Sequence, residues 1–168
     1  MNIYGYCRIS TAKQSIERQI RNIKAEYPTV HIVQEAYTGT SIFRPEWLKL
    51  YRVLKAGDTV VFDSVSRMSR NAEEGFALYE DLYHKGIRLV FLKEHHIDTE
   101  TYKKALSGSI AMTGTNVDFI LKGINEYLMA LAKEQIKLAF EQSEKEVADL
   151  HQRTREGLLT ARLNGKQV

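Results

Sequence analysis

A chain of 168 residues with 43% hydrophobic and 27% charged side chains has the make-up of one soluble globular domain, or of one domain plus an extension. It contains no run approaching the roughly 18 apolar residues of a membrane-spanning helix and no signal-peptide pattern at its start. Its single cysteine, Cys7, excludes an intrachain disulfide framework and fits a reducing cytoplasm. The net charge of +3 lies in residues 151–168, where Arg153, Arg155, Arg162 and Lys166 face only Glu156. Such a basic end reads as a solvated tail or as an arm reaching for phosphates.

In chain order, "NIYGYCRI" reads as a first strand, after which Ile16, Ile20, Ile23 and Tyr27 recur at helical spacing until Pro28. "VHIVQE" predicts a second strand, followed by the loop "AYTGTSIFR". Pro45 suits the first position of a helix carrying Trp47, Leu48, Tyr51 and Leu54 and closed by Gly57. "TVVF" predicts a third strand and "DSVSRMSR" the loop after it. Asn71 and Glu74 have capping-box spacing at the start of a helix that Gly86 ends, and "IRLVFL" is a fourth strand. Strands alternating with single helices predict an α/β fold, a mainly parallel sheet of four to five strands covered on both faces.

Beyond residue 98 no strand is convincing. Residues 100–112 suit one helix, which "TGTN" interrupts. From Val117 to about Asn164 no proline occurs, and a helix of that length would span roughly 70 Å, more than the width of such a domain. It projects as a long C-terminal helix, whole or in two pieces, or it folds back as an antiparallel pair. The expected division is an α/β core over residues 1–98 and a helical region over 99–168.

The chemistry gathers at the strand ends. In a parallel sheet, loops leaving the C-terminal strand ends line the functional crevice. Arg8 and Ser10 leave the first strand there, Arg44 follows the second, and Arg67 and Arg70 follow the third. Arginines so crowded repel one another and call for a polyanion, whose phosphate oxygens their forked guanidiniums match. Taken singly these residues have plainer readings. Ser10 or Thr11 could cap the next helix, Thr11 with Gln14 having capping-box spacing, and Arg67 with Arg70 could be a solvated turn.

The stretch "YCRIS" followed by Gln14 and Gln19, Arg44 after a Gly-Thr-Ser loop, and "SRMSRN" at 66–71 together resemble the serine recombinases, the resolvase and invertase family. "RTREG" at 153–157 resembles the end of that family's catalytic domain. The resemblance implies a site-specific DNA recombinase whose serine attacks a phosphodiester, forms a 5′-phosphoserine link and frees a 3′-hydroxyl, with no metal or nucleotide cofactor. Carried over by position, Ser10 is the nucleophile, Arg8, Arg67 and Arg70 surround the scissile phosphate, and Arg44 supports them. Gln14, Gln19, Ser66 and Arg153 fall at supporting or DNA-binding positions. The implied partners are double-stranded DNA and further copies of the chain, as a homodimer or homotetramer joined through the C-terminal helix.

This sequence departs from the family pattern in places. Ser66 stands where the family commonly has Asp before its first arginine, with Asp63 three residues earlier, and Val147 replaces the arginine of a Glu-Arg pair at Glu146. Family members continue into a DNA-binding domain, whereas this chain ends at Val168, which suggests an excised catalytic domain. "EHHID" offers His95, His96 and Asp98, but adjacent histidines on an extended segment point apart and make a poor metal site. No GxGxxG or GxxxxGK[ST] motif occurs. Two other functional classes remain: a non-catalytic DNA-binding or assembly module of the same fold, and a small phosphatase, against which the lack of a Cys or Asp nucleophile in a phosphate loop argues.

Overall fold

Four short strands make the centre of the molecule: β1 (Ile3–Ile9), β2 (His31–Ala36), β3 (Thr59–Phe62) and β4 (Arg88–Phe91). They pair in the order β2-β1-β3-β4, every pair parallel. The computed structural model describes residues 1–9, 16–36, 44–107 and 110–165. The helices are α1 (Glu17–Glu26), α2 (Pro45–Val53), α3 (Val65–Met68), α4 (Ala72–His84), α5 (Thr99–Ser107) and α6 (Asp118–Leu163). A 3₁₀ turn at His95–Ile97 follows β4. The sheet therefore has the parallel α/β form that the strand–helix alternation predicts.

Strand alternation divides the core between the two sheet faces. Cys7, Val61 and Val90 point to one face, where Ile23 of α1 packs with Val30. Tyr6, Val60, Phe62, Leu89 and Phe91 point to the other, under α2, α4 and α6. That second face is rich in rings. Phe62 stacks on Phe91 at 5.3 Å, and Tyr6 meets Trp47 edge-on at 5.1 Å. Aromatic pairs at such spacings add to the stabilisation from burial alone.

Helix boundaries follow local chemistry. Pro45 opens α2, and the residue before it, Arg44, is extended at φ −117° and ψ 94°, as a pre-proline residue must be. Asn71 accepts the Glu74 N–H at 3.0 Å and caps α4, but the reciprocal half of the box is not made, because the Asn71 N–H donates to Ser69 Oγ. Gly86 ends α4 at φ +76°, a conformation that favours glycine. Three segments differ from expectation, the first being the helix expected over residues 100–112, which ends at Ser107 and leaves residues 110–112 outside any helix. The loop after β3 contains the short helix α3, whose first N–H, on Val65, is accepted by Glu94 Oε2 at 3.1 Å. "EHHID" is a tight 3₁₀ turn, not an extended segment, with His95 Nδ1 2.7 Å from Asp98 Oδ2.

The long C-terminal helix is unbroken through Gly123 and Gly157, and the antiparallel alternative does not occur. Its 46 residues span about 69 Å at 1.5 Å per residue. Only its middle is sunk into the protein: Ile136, Ala139 and Phe140 belong to the same core cluster as Phe62 and Phe91. The crossing over α4 is close because Gly75 has no side chain. A Cβ there would lie 2.5 Å from Phe140 Cδ1. Glu144 of α6 also accepts the Ala72 N–H at the start of α4, at 3.1 Å. Among the described residues no helix is long and apolar enough to cross a membrane.

This packing makes a paired prediction. Phe140→Ala removes a fully buried ring and should lower unfolding stability by about 3–5 kcal/mol in urea titrations. Gly75→Ala should destabilise the native protein by about 1–3 kcal/mol through overpacking, yet be tolerated in the Phe140→Ala background. Additive effects would show that the two positions do not share one contact.

Candidate active site

The strand order reverses direction at β1. The chain steps from β1 to β2 on one side, then crosses to β3 on the other. The crevice beyond the C-terminal ends of β1 and β3 is the topological switch point, where open α/β sheets place ligands. The arginines arrive there.

Arg8 stands at the end of β1, on the face that holds Tyr6, and is only 6% exposed. Its backbone is clamped by Gln19 of α1, whose Oε1 accepts the Arg8 N–H at 3.1 Å and whose Nε2 donates to the Arg8 carbonyl at 2.9 Å. Both ends of the Gln19 amide are thereby used, and its role is to hold the strand end. The Arg8 guanidinium donates through Nη2 to the Ser66 carbonyl at 2.8 Å. Arg44, fixed at the start of α2, donates to the Met68 carbonyl. Arg67 Nη1 donates to the Arg8 carbonyl at 3.2 Å. Ser66 spends its hydroxyl on Ser64 Oγ at 2.7 Å.

Burial and the facing charges of Arg44, Arg70 and Arg67 push the Arg8 guanidinium down to about 9. Arg67 is lowered by burial against the opposing pull of Asp63, and Arg70 by burial and then Arg44. Arginine still carries its charge at neutral pH. The shifts express the cost of crowding four cations into a half-buried crevice, a cost that an incoming anion relieves.

Two carboxylates frame this cluster: Glu35, which sequence reasoning passed over, and Asp63, which it noted only as lying three residues before Ser66. Glu35, paired in register with Arg8 across β1 and β2, is 2% exposed. Its Oε2 accepts the Trp47 N–H in the first turn of α2 at 2.9 Å and the Tyr6 hydroxyl at 3.3 Å. It secures α2, and with it Arg44, at the helix end where negative charge is favoured. Asp63, at the foot of α3, accepts from Asn22 of α1 at 3.0 Å. Each is an acid at the C-terminal end of a strand, and that was the available signal.

The structure thus brings Arg8, Arg44, Arg67 and Arg70 to one edge, with Gln19 and Ser66 beside them. Ser10 and Gln14 lie outside the described residues. The capping alternative for Ser10 or Thr11 also falls outside the described residues, among which α1 starts at Glu17. Arg153 is exposed on α6, 13 residues and about 20 Å of helix beyond Phe140, and does not join the cluster. Cys7 is fully buried packing, its thiol pushed up to about 12 chiefly by that burial. Among the described residues no three His, Cys, Asp or Glu side chains converge to hold a metal ion.

If repulsion within the cluster is as strong as its burial implies, removing one cation should stabilise the folded chain. Arg70→Gln is expected to raise the thermal midpoint at low ionic strength by about 2–4 °C, the shift that ~1 kcal/mol produces in a chain of this size. The gain should shrink in about 1 M NaCl, where the Debye length is ~3 Å. A lower midpoint at both salt concentrations would show that the arginines are not mutually strained.

Comparison with known proteins identifies the family. Residues 3–135 match the family described as "Resolvase, N terminal domain". The Tn21 transposon resolvase of Escherichia coli is 28% identical over 159 residues, 91% of this chain and 83% of that protein. A resolvase of Clostridium perfringens is 28% identical over 166 residues, 98% of this chain and 74% of that protein. A crystal structure of a resolvase family site-specific recombinase from Streptococcus pneumoniae aligns over 96% of this chain and 98% of its own, at 20% identity and a TM-score of 0.47. The chain belongs to the resolvase family and carries that family's N-terminal domain.

Proposed function

We propose that this chain is the catalytic domain of a site-specific recombinase in which Ser10 attacks a DNA phosphodiester. The observation that supports it most is the convergence of four arginines at the sheet edge that Ser10 follows, two residues after Arg8 in the chain. In the step proposed, a bond forms between Ser10 Oγ and phosphorus and the bond to the 3′ oxygen breaks. The serine loses its proton and the departing oxygen gains one, leaving a 5′-phosphoserine and a 3′-hydroxyl. Reversal by a 3′-hydroxyl from another duplex reseals the strands, so the bond energy is conserved in the protein–DNA link.

The charge that gathers on phosphorus in the transition state needs fixed positive charge. Arg8, Arg67 and Arg70 supply it at the scissile phosphate and Arg44 supports them, as preorganised cations that need no reordering during the reaction. Gln14 is proposed as a further contact near the phosphate, and Arg153 as a contact to flanking DNA from the basic end of α6. On this reading residues 1–98 form the catalytic unit, residues 99–168 serve assembly, and sequence-specific DNA binding comes from a separate module.

Assembly is proposed to run through α6. Its first half exposes Phe119, 84% accessible, together with Ile120, Ile124, Tyr127, Leu128 and Leu131. A helix that outreaches its own domain and carries such a face has apolar surface that a second copy of the same helix would bury.

Two predictions test this reading. In the first, the chain is linked to a sequence-specific DNA-binding module and given a duplex whose central site is nicked, so that cleavage traps the covalent adduct. Ser10→Ala should abolish the adduct in a protein that still folds, and Arg8→Ala, Arg67→Ala and Arg70→Ala should each slow it about 10²-fold or more. The adduct should persist in EDTA, since guanidiniums provide the charge. Adduct formation by Ser10→Ala would remove the nucleophile assignment. In the second, light scattering of the unlinked chain should give a dimer or tetramer, and Phe119→Lys with Leu128→Lys should shift it to monomer. A strict monomer at high concentration would refute assembly through α6.

A further inference from the structure

Two helix starts bracket the arginines that follow β3. Helix α3 begins at Val65 and α4 at Ala72, and between them lie Arg67, Arg70 and the Ser66 and Met68 carbonyls that hold Arg8 and Arg44. The first N–H groups of a helix have no partner within it, and Val65 and Ala72 are both buried, at 1% and 7% exposure. A buried N–H without an acceptor is costly, so each start needs one brought to it.

Neither start is fully served by its own N-cap. Ser64, before α3, makes no capping bond and shares its hydroxyl with Ser66. Asn71, before α4, takes the Glu74 N–H and leaves that of Ala72. Both missing acceptors come from distant carboxylates. Glu94 Oε2, in the turn after β4, accepts the Val65 N–H at 3.1 Å, and Glu144 Oε2 of α6 accepts the Ala72 N–H at 3.1 Å. Negative charge is also favoured at a helix start. The second contact continues the crossing of α6 over α4. Glu144 lies one turn beyond Phe140, and Ala72 one turn before Gly75.

We infer that Glu94 and Glu144 are positioning residues that clamp the two ends of the arginine-bearing segment 65–72, one from the turn after β4 and one from the long helix. Short-range bonds, such as Ser69 N–H to the Val65 carbonyl at 3.1 Å and Ser69 Oγ to the Asn71 carbonyl at 2.9 Å, shape the segment from within. The two carboxylates tie its ends to the surrounding fold. The inference rests on the reaction proposed above for what the clamp serves, but the two hydrogen bonds do not. A cation that must find its place in each turnover loses much of its value to the transition state. Through Glu144, the far end of the segment is held only while α6 lies across α4.

The test reads the clamp and the chemistry separately. In the chain itself, amide hydrogen exchange is followed by NMR. Glu94→Ala should accelerate exchange at Val65 and Ser69, and Glu144→Ala at Ala72, by about fivefold or more, with the amides of β1 and β3 unchanged. Glu94→Gln and Glu144→Gln keep a carbonyl acceptor at the same reach and should return exchange to within about twofold of wild type. In the adduct assay at saturating DNA, Glu94→Ala combined with Glu144→Ala should slow cleavage about tenfold or more while DNA affinity stays within about twofold. The two Gln substitutions together should recover most of the rate. Unchanged exchange at Val65 and Ala72 in the Ala variants overturns the inference. So does faster exchange with undiminished cleavage, or Gln variants as impaired as the Ala ones. Glu144 is exposed, so if Glu94→Ala does not fold, exchange at Ala72 and the cleavage rate of Glu144→Ala decide. If the wild-type protein forms no adduct, the reaction assigned above fails, and exchange at Val65, Ser69 and Ala72 alone decides the clamp.

Discussion

The gathering of four guanidiniums at one partly buried edge is the constraint around which the sheet edge is arranged. The groups that hold them are chiefly backbone carbonyls, of Ser66 for Arg8, Met68 for Arg44 and Arg8 for Arg67. A carbonyl fixes a guanidinium without neutralising it, so the crevice keeps its positive field. Two of these carbonyls, of Ser66 and Met68, come from α3, a four-residue helix, and the third from the end of β1. The last turn of α3 offers acceptors at the strand end, and Glu94 caps its first N–H. Crowded charge of one sign at a half-buried position is the kind of local cost that functional sites commonly carry.

The rest of the domain holds that edge in place. Gln19 uses its whole amide on the backbone of Arg8, and Glu35 ties α2 to the tip of β2. Behind both lie the ring stack of Phe62, Phe91 and Tyr79 and the crossing of α6 over α4. Residues from the helical region are therefore part of the packing that keeps the strand ends in place. The arginine cluster and the long helix share one core.

Much of this was legible in the residues. The strand–helix alternation carried the sheet, since buried parallel strands read as short apolar runs such as "TVVF". The strand ends carried the arginine cluster, because the chain must leave a parallel sheet at one edge. Tertiary partners were not legible. Nothing in "DSVSRMSR" announces a helix, because α3 depends on a cap from Glu94, 29 residues away. Glu35 escaped notice because a lone acid has no periodicity, and Asp63 was noted only for its spacing from Ser66; the meaning of each comes from what folds over it. Gln19 could be aligned with a family position, but its task of clamping a backbone was visible only once α1 lay beside β1. The Asn71 box was half right for a related reason: Ser69 Oγ competes for the N–H that Glu74 would have taken.

The placement of the buried segment within α6 has a mechanical consequence. Ile136, Ala139 and Phe140 grip the helix near its middle, leaving 18 residues before the grip and 23 after it, counted within Asp118–Leu163. At 1.5 Å per residue these are arms of about 27 and 35 Å on either side of a fulcrum. A tilt of about 10° at Phe140 would carry the far tip roughly 6 Å, a little more than one helical turn of 5.4 Å. Gly75 sets how near the fulcrum can sit to α4, so a position with no side chain governs the leverage of the longest element in the molecule. Whatever engages the ends of α6 acts on the α/β core through the middle of the helix, which packs on α4, α3 and α5, with the long arm multiplying its torque.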